Sequence, residues 1–234
     1  MTKHIQIVEV SPRDGLQADP ADLTTDQKVR LIERLIATGH TRIEAASFVS
    51  PKAVPKMADG DAVMAKVPRI DGVSYSALAF NPRGVERAIA AEVDEVTGVV
   101  VASETFSQRN QNASIAESIE RWAAVGDAAR AAGKKTSVTI AASFGCPFEG
   151  RVDPALVVDI ARQLAATKPD EIGLADTIGV AVPSKVASLI EGVSHAIEAI
   201  PLRGHFHNTR NTALANIVAA IDAGIHIFDS SLGG

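Results

Sequence analysis

Apolar and polar positions along the chain fall into two alternating textures. Short runs with the period of a strand begin near Ile5, Arg42, Val73, Glu95, Lys135, Glu171, Arg203 and Ile225. Longer runs with a helical period lie between them. The helical runs carry their own ends. Thr24 and Gln27 stand at capping-box spacing, ahead of a stripe of Val29, Ile32, Leu35 and Ile36 that stops at Gly39. Ser114 and Glu117 repeat the device before Ile119, Trp122, Val125 and Ala129, with Gly133 as the stop. Asp153-Pro154 opens a further helix with a cap and a proline in the first turn. Val186, Leu189, Ile190, Val193 and Ile197 mark one face of another.

Strands that alternate with helices imply right-handed βαβ units and a parallel sheet. Eight of them favour a closed α/β TIM (β/α)8 barrel over an open doubly wound sheet. No low-complexity linker divides residues 1–234, so a single catalytic domain is expected. Its ending is unusual for the fold. Only Leu232-Gly233-Gly234 follow the last strand candidate, "IHIFDSS", so the eighth helix is expected to be missing from this chain. The apolar surface left open at that seam favours self-association, and a homodimer is one expected assembly.

Composition narrows the class of function. The formal charge of −5, from 23 Lys and Arg against 28 Asp and Glu, argues against a nucleic-acid partner or an anionic membrane, which need a basic face. No apolar run is long enough to read as a membrane span. Strand-like sequence begins by about residue 4, which leaves no room for a signal peptide. Cys146 is the only cysteine, and that fits a reducing compartment. The expectation is a cytoplasmic protein.

In such a barrel the chemistry sits at the C-terminal ends of the strands, and polar residues gather there. Strand one leads into "VSPRDGLQ", which sets Arg13 beside Asp14 between Pro12 and Gly15. Those residues also suit a plain turn. Glu44 on strand two is costly at an inward position unless paired, with Arg13 or Arg42 as the expected partner, and a purely structural ion pair is a serious rival reading. Asp176, ahead of Thr177 and Gly179, could serve as a cap or as a site residue. Cys146 before Pro147 reads as structural, since no base stands at a fixed offset beside it. His205-Phe206-His207 on strand seven is the most informative run. Residues two apart face the same way, so both imidazoles can point inward, and two imidazoles with one carboxylate are a common divalent-metal set. Asp14 is the carboxylate able to reach them.

"EVSPRDGLQ", "IEAASFVSPKAVPKMAD", "SETFSQRNQNASIAES", "GCPFEG", "DTIGV" and "HFHNT" stand here in that order. Together they resemble the 3-hydroxy-3-methylglutaryl-CoA lyase family over nearly the whole chain. The resemblance implies a metal-dependent barrel lyase of leucine catabolism and ketone-body metabolism, cleaving an acyl-CoA thioester to acetyl-CoA and acetoacetate. It implies Asp14, His205 and His207 as ligands to Mg2+ or Mn2+, and Arg13 facing the thioester carbonyl. Gln17 would bind substrate with Arg13, and Arg13, Glu44, Asp176 and His205 would form the catalytic set. Two departures qualify this. The family's cysteine loop and an asparagine metal ligand lie beyond "SSLGG", so little activity is expected of the chain as given. Ala53 and Asn208 replace residues common in relatives and leave room for a larger 3-substituent. The rival readings are a lyase for another 3-hydroxy-3-alkylglutaryl-CoA, a sibling aldolase or synthase, and a barrel that binds metal and CoA without catalysis.

Overall fold

All eight predicted strands form, each starting within two residues of its expected position. They are β1 (Gln6–Glu9), β2 (Arg42–Ser47), β3 (Ser74–Leu78), β4 (Glu95–Val101), β5 (Lys135–Ala141), β6 (Glu171–Asp176), β7 (Leu202–Phe206) and β8 (Ile227–Ser230). The computed structural model describes residues 4–197 and 199–233. The strands run in sequence order around a closed barrel, and their described pairings are parallel. The intervening helices are α1 (Leu16–Ala18), α2 (Thr25–Ala37), α3 (Gly60–Lys66), α4 (Pro82–Ala90), α5 (Glu104–Gln111), α6 (Ile115–Ala131), α7 (Pro154–Ala166), α8 (Pro183–Ile197) and α9 (Ala213–Asp222). Among the described residues no helix follows β8.

The helix ends are set by the residues that the sequence pattern singled out. Thr24 Oγ1 accepts from the Gln27 amide while the Gln27 side chain accepts from the Thr24 amide, a complete capping box for α2. The same reciprocal pair joins Ser114 and Glu117. Asp153 caps α7 through the Ala155 amide. Gly39 and Gly133, at the stops of α2 and α6, adopt φ of 96° and 72°, a region closed to most side chains.

Close contacts group the chain into two compact units, whose limits fall inside β1, β4, α6, β5 and β8. One is built on Ile7–Gly98, with Ala124–Thr136 and Asp229–Gly234. Here α2 buries Val29, Ile32 and Leu35, and Ile43 and Tyr75 pair across β2 and β3 as buried neighbours. The other is built on Val99–Ala123 and Ser137–Phe228. There α7, α8 and α9 pack in succession, and the predicted stripe of α8 is the face it buries.

Two buried ion pairs lie near the N-terminal starts of strands. Arg42 bonds Glu95 through Nε at 3.1 Å and NH2 at 2.8 Å. Arg203 NH1 lies 3.3 Å from Glu171. Such pairs sit at the end of the fold remote from its chemistry, where they serve the packed interior. Further along β2 the register with β3 shifts between Glu44 and Ala46. A bulge of that kind re-aims side chains.

Candidate metal centre and its arginine

The run that joins β1 to α1 is more specialised than a turn. Ser11–Gly15 form one π-helical turn, with Pro12 at its start. The Val10 carbonyl accepts from the amides of Arg13 at 3.1 Å, Asp14 at 2.7 Å and Gly15 at 3.4 Å. Single π turns of this sort recur at functional sites. This one fixes Arg13 and Asp14 side by side, and the two side chains touch, NH1 to Oδ1, at 2.7 Å.

Glu44 holds the other side of the guanidinium. Its Oε2 accepts from Arg13 Nε at 2.7 Å and lies 2.6 Å from NH2. Its Oε1 accepts from the Thr97 hydroxyl at 2.9 Å. Of the two partners expected for Glu44, the structure selects Arg13, because Arg42 is committed to Glu95. Burial opposes the charge on Arg13. The charges of Glu44 and Asp14, with a smaller contribution from Asp229, outweigh that and raise its pKa above the ordinary arginine value. Arg13 is thus a fixed cation held between two acids.

On β7, His205 and His207 share a face as their spacing predicts, and their Nε2 atoms approach to 3.1 Å. Phe206, between them, stacks towards Phe144 with ring centroids 5.9 Å apart. Asp14, His205 and His207 each offer a ligand atom, and all three atoms lie within 4.8 Å of one another. Two donors at right angles on an octahedral ion with bonds of about 2.1 Å stand roughly 3 Å apart. The histidine pair already has that spacing. One carboxylate with two imidazoles also suits a borderline divalent cation. The donor set fits a metal.

The other predicted residues lie elsewhere. Gln17 is exposed on α1. Asp176 is fully buried, and its two oxygens accept from the amides of Val180 and Ala181, each at 2.9 Å. That is the capping role its place before Thr177 and Gly179 allowed. The Asp176 carbonyl in turn accepts from the His207 amide at 3.4 Å. Cys146 is a buried free thiol that contacts Ser103 Oγ at 2.9 Å and accepts from the amides of Phe148 and Glu149, which makes it the pivot of a tight loop. Thr97 and Asp229 escaped the sequence reading. The signal for Thr97 was its alternation with Glu95 along β4, and for Asp229 its place at the end of β8.

A sequence model of the HMGL-like family matches residues 4–234. The chain belongs to the HMGL-like family. A 3-hydroxy-3-isohexenylglutaryl-CoA/hydroxymethylglutaryl-CoA lyase of Pseudomonas aeruginosa is 44% identical over 234 residues, covering 100% of this chain and 78% of that protein. The mitochondrial hydroxymethylglutaryl-CoA lyase of Mus musculus is 41% identical over the same span, which is 72% of its length. A crystal structure of the HMG-CoA lyase from Brucella melitensis matches with a TM-score of 0.96 at 43% identity, covering all of this chain and 82% of that one. The Brucella melitensis enzyme thus shares the fold on which this chain sets Arg13, Asp14, Glu44 and the histidine pair.

Proposed function

We propose that this barrel belongs to a metal-dependent carbon–carbon lyase that cleaves 3-hydroxy-3-methylglutaryl-CoA to acetyl-CoA and acetoacetate by a retro-Claisen reaction, with residues 1–234 lying in one catalytic domain. The observation that carries this reading is the Arg13 guanidinium, clamped between Glu44 and Asp14, while Asp14 also belongs to the histidine cluster. Asp14, His205 and His207 would hold Mg2+ or Mn2+. A bound divalent cation supplies Lewis acidity to the substrate's tertiary hydroxyl and neighbouring carboxylate.

The chain's own residues do the rest. The tertiary hydroxyl gives up its proton as it becomes the ketone of acetoacetate, and the carbon–carbon bond breaks. The carbon next to the thioester keeps the electron pair until a proton returns to it to give acetyl-CoA. Meanwhile negative charge grows on the thioester carbonyl oxygen. Arg13 donates to that oxygen, and a preorganised donor of this kind contributes about 2.7–4 kcal/mol. Glu44 and Thr97 fix the plane of the guanidinium, so little reorganisation accompanies the charge. Asp176 braces the turn after β6, and its carbonyl holds the backbone of His207.

The test is acetoacetate release from 3-hydroxy-3-methylglutaryl-CoA with Mg2+ or Mn2+, repeated with EDTA and with Asp14→Asn. Release that needs the ion and falls in the variant supports the reading. Release that is equal in wild type, variant and chelated enzyme overturns it. The Pseudomonas aeruginosa relative's name includes a bulky 3-substituent, so the 3-hydroxy-3-isohexenylglutaryl thioester belongs in the same assay. Preference for it would favour the broader alkylglutaryl reading.

A further inference from the structure

Glu9, the last residue of β1, carries a buried carboxylate outside the cluster, with the residue only 1% exposed. Burial of a charge is costly unless donors fill its lone pairs. Four groups face this one. Its Oε1 accepts from the amides of Ser11 at 2.9 Å and Leu232 at 3.2 Å. Its Oε2 accepts from the Ser230 hydroxyl at 3.1 Å and lies 3.6 Å from His40 Nε2. They come from three separate parts of the chain: the exit of β1, the loop between α2 and β2, and the end of β8.

Three of these contacts, from Ser11, Ser230 and Leu232, bear on the site. Ser11 is the first residue of the π-helical turn, two positions before Arg13 and three before Asp14. The turn therefore hangs from two anchors, the Val10 carbonyl and the Glu9 carboxylate. The chain leaving β8 lies against the same turn: a Cβ added at Gly15 would stand 2.8 Å from Ser231 Oγ. Glu9 joins these two segments through one pair of oxygens.

We propose that Glu9 is a positioning residue, which sets Arg13 and Asp14 in place by tying the π-helical turn to the chain that leaves β8. It contacts neither substrate nor ion and acts only through the backbone it holds. The inference rests on the lyase reading for what Arg13 and Asp14 do, but not for where Glu9 holds them.

The decisive comparison is Glu9→Asp against Glu9→Gln, since Glu9→Ala risks loss of the fold. Aspartate keeps the charge but withdraws the oxygens by about 1.5 Å. Glutamine keeps the reach of one acceptor oxygen. Titration with Mn2+ alone, by calorimetry at a temperature where both variants are folded, reads the position of Asp14 without turnover. Glu9→Asp should weaken Mn2+ binding about tenfold and lower kcat more than it raises KM. Glu9→Gln should recover most of both. Mn2+ affinity for Glu9→Asp within about twofold of wild type, or a Gln variant as impaired as the Asp variant, overturns the positioning role. Absence of Mn2+ binding by the wild-type chain overturns it as well. A wild-type chain that binds Mn2+ but releases no acetoacetate removes the lyase reading alone.

Discussion

Replacing Glu44 by alanine probes how firmly Arg13 must be held. The carboxylate receives Arg13 on one oxygen, at 2.7 and 2.6 Å, and the Thr97 hydroxyl on the other, at 2.9 Å. Its side chain is 5% exposed, and that of Arg13 is 13% exposed. Without it, the buried Thr97 hydroxyl loses an acceptor, which costs about 1–3 kcal/mol. Breaking a buried ion pair costs about 3–5 kcal/mol. The lower end applies, because Asp14 remains on the guanidinium and some water reaches it. Taking the low end of both gives about 4 kcal/mol. For a chain of this length that lowers Tm by roughly 8–16 °C. The loss in turnover is bounded by what Arg13 contributes, so kcat should fall about 10²–10³-fold. Glu44→Gln keeps the shape and one acceptor but not the charge. It should recover most of the stability and little of the rate. Thermal melting by circular dichroism, together with acetoacetate release, separates the two effects. A Glu44→Ala variant that melts within about 2 °C of wild type and turns over normally would mean that Arg13 is held by something other than this clamp.

Arg13→Ala should cost far more in kcat than in Mn2+ affinity, since charge on the thioester oxygen appears only as the bond breaks; a loss of substrate affinity with kcat unchanged would make Arg13 a ground-state binder. Gly204→Ala should destabilise the fold by about 1–3 kcal/mol, because the new Cβ would lie 2.8 Å from the Phe206 ring and 2.9 Å from that of Phe228. The strain adjoins His205, so Mn2+ affinity should drop with Tm, and an unchanged melting curve would refute the close packing. Hydrogen bonds from the Thr105 side chain and backbone, with one from Ser103, hold the Glu149 carboxyl below its usual pKa. A depressed pKa stabilises the loop above the unfolded value of about 4.3 and loses that stabilisation as pH falls through the lower folded value. Protection of the Thr105 amide, taken as its exchange rate relative to that of an unstructured amide at the same pH, should stay high at neutral pH and fall only in that acid window; protection lost already near pH 6 would contradict it.

Strand starts and helix ends were legible because they rest on local chemistry. The capping boxes at Thr24 and Ser114, the stops at Gly39 and Gly133, and the stripe on α8 each need only neighbours a few residues away. The histidine pair was legible for the same reason, as a spacing of two on one strand. Partner choice was less so. Glu44 had two candidate arginines in the sequence, and only the register of β2 against its neighbours decides between them. The π-helical form of Ser11–Gly15 was not legible, since Pro, Asp and Gly suit many turns and the choice depends on three amides converging on Val10. Thr97 and Asp229 were hidden because each acquires meaning only across the fold, Thr97 through the Glu44 carboxylate it donates to and Asp229 through its charge beside Arg13. Glu9 was hidden among the apolar residues of its own strand.

The bonds from Ser230 and Leu232 to Glu9 span 221 and 223 positions of chain. Bringing together residues so far apart carries a length-dependent entropic cost of roughly 5 kcal/mol, so this contact belongs late in folding. Until the ring of strands shuts, the carboxylate lacks two of its donors and the turn bearing Asp14 lacks one of its braces. On the proposed role of Glu9, ion capture at full affinity would then be a property of the finished barrel and not of any partly assembled arc. In a refolding experiment, the moment at which Mn2+ binds would timestamp the closing of the ring.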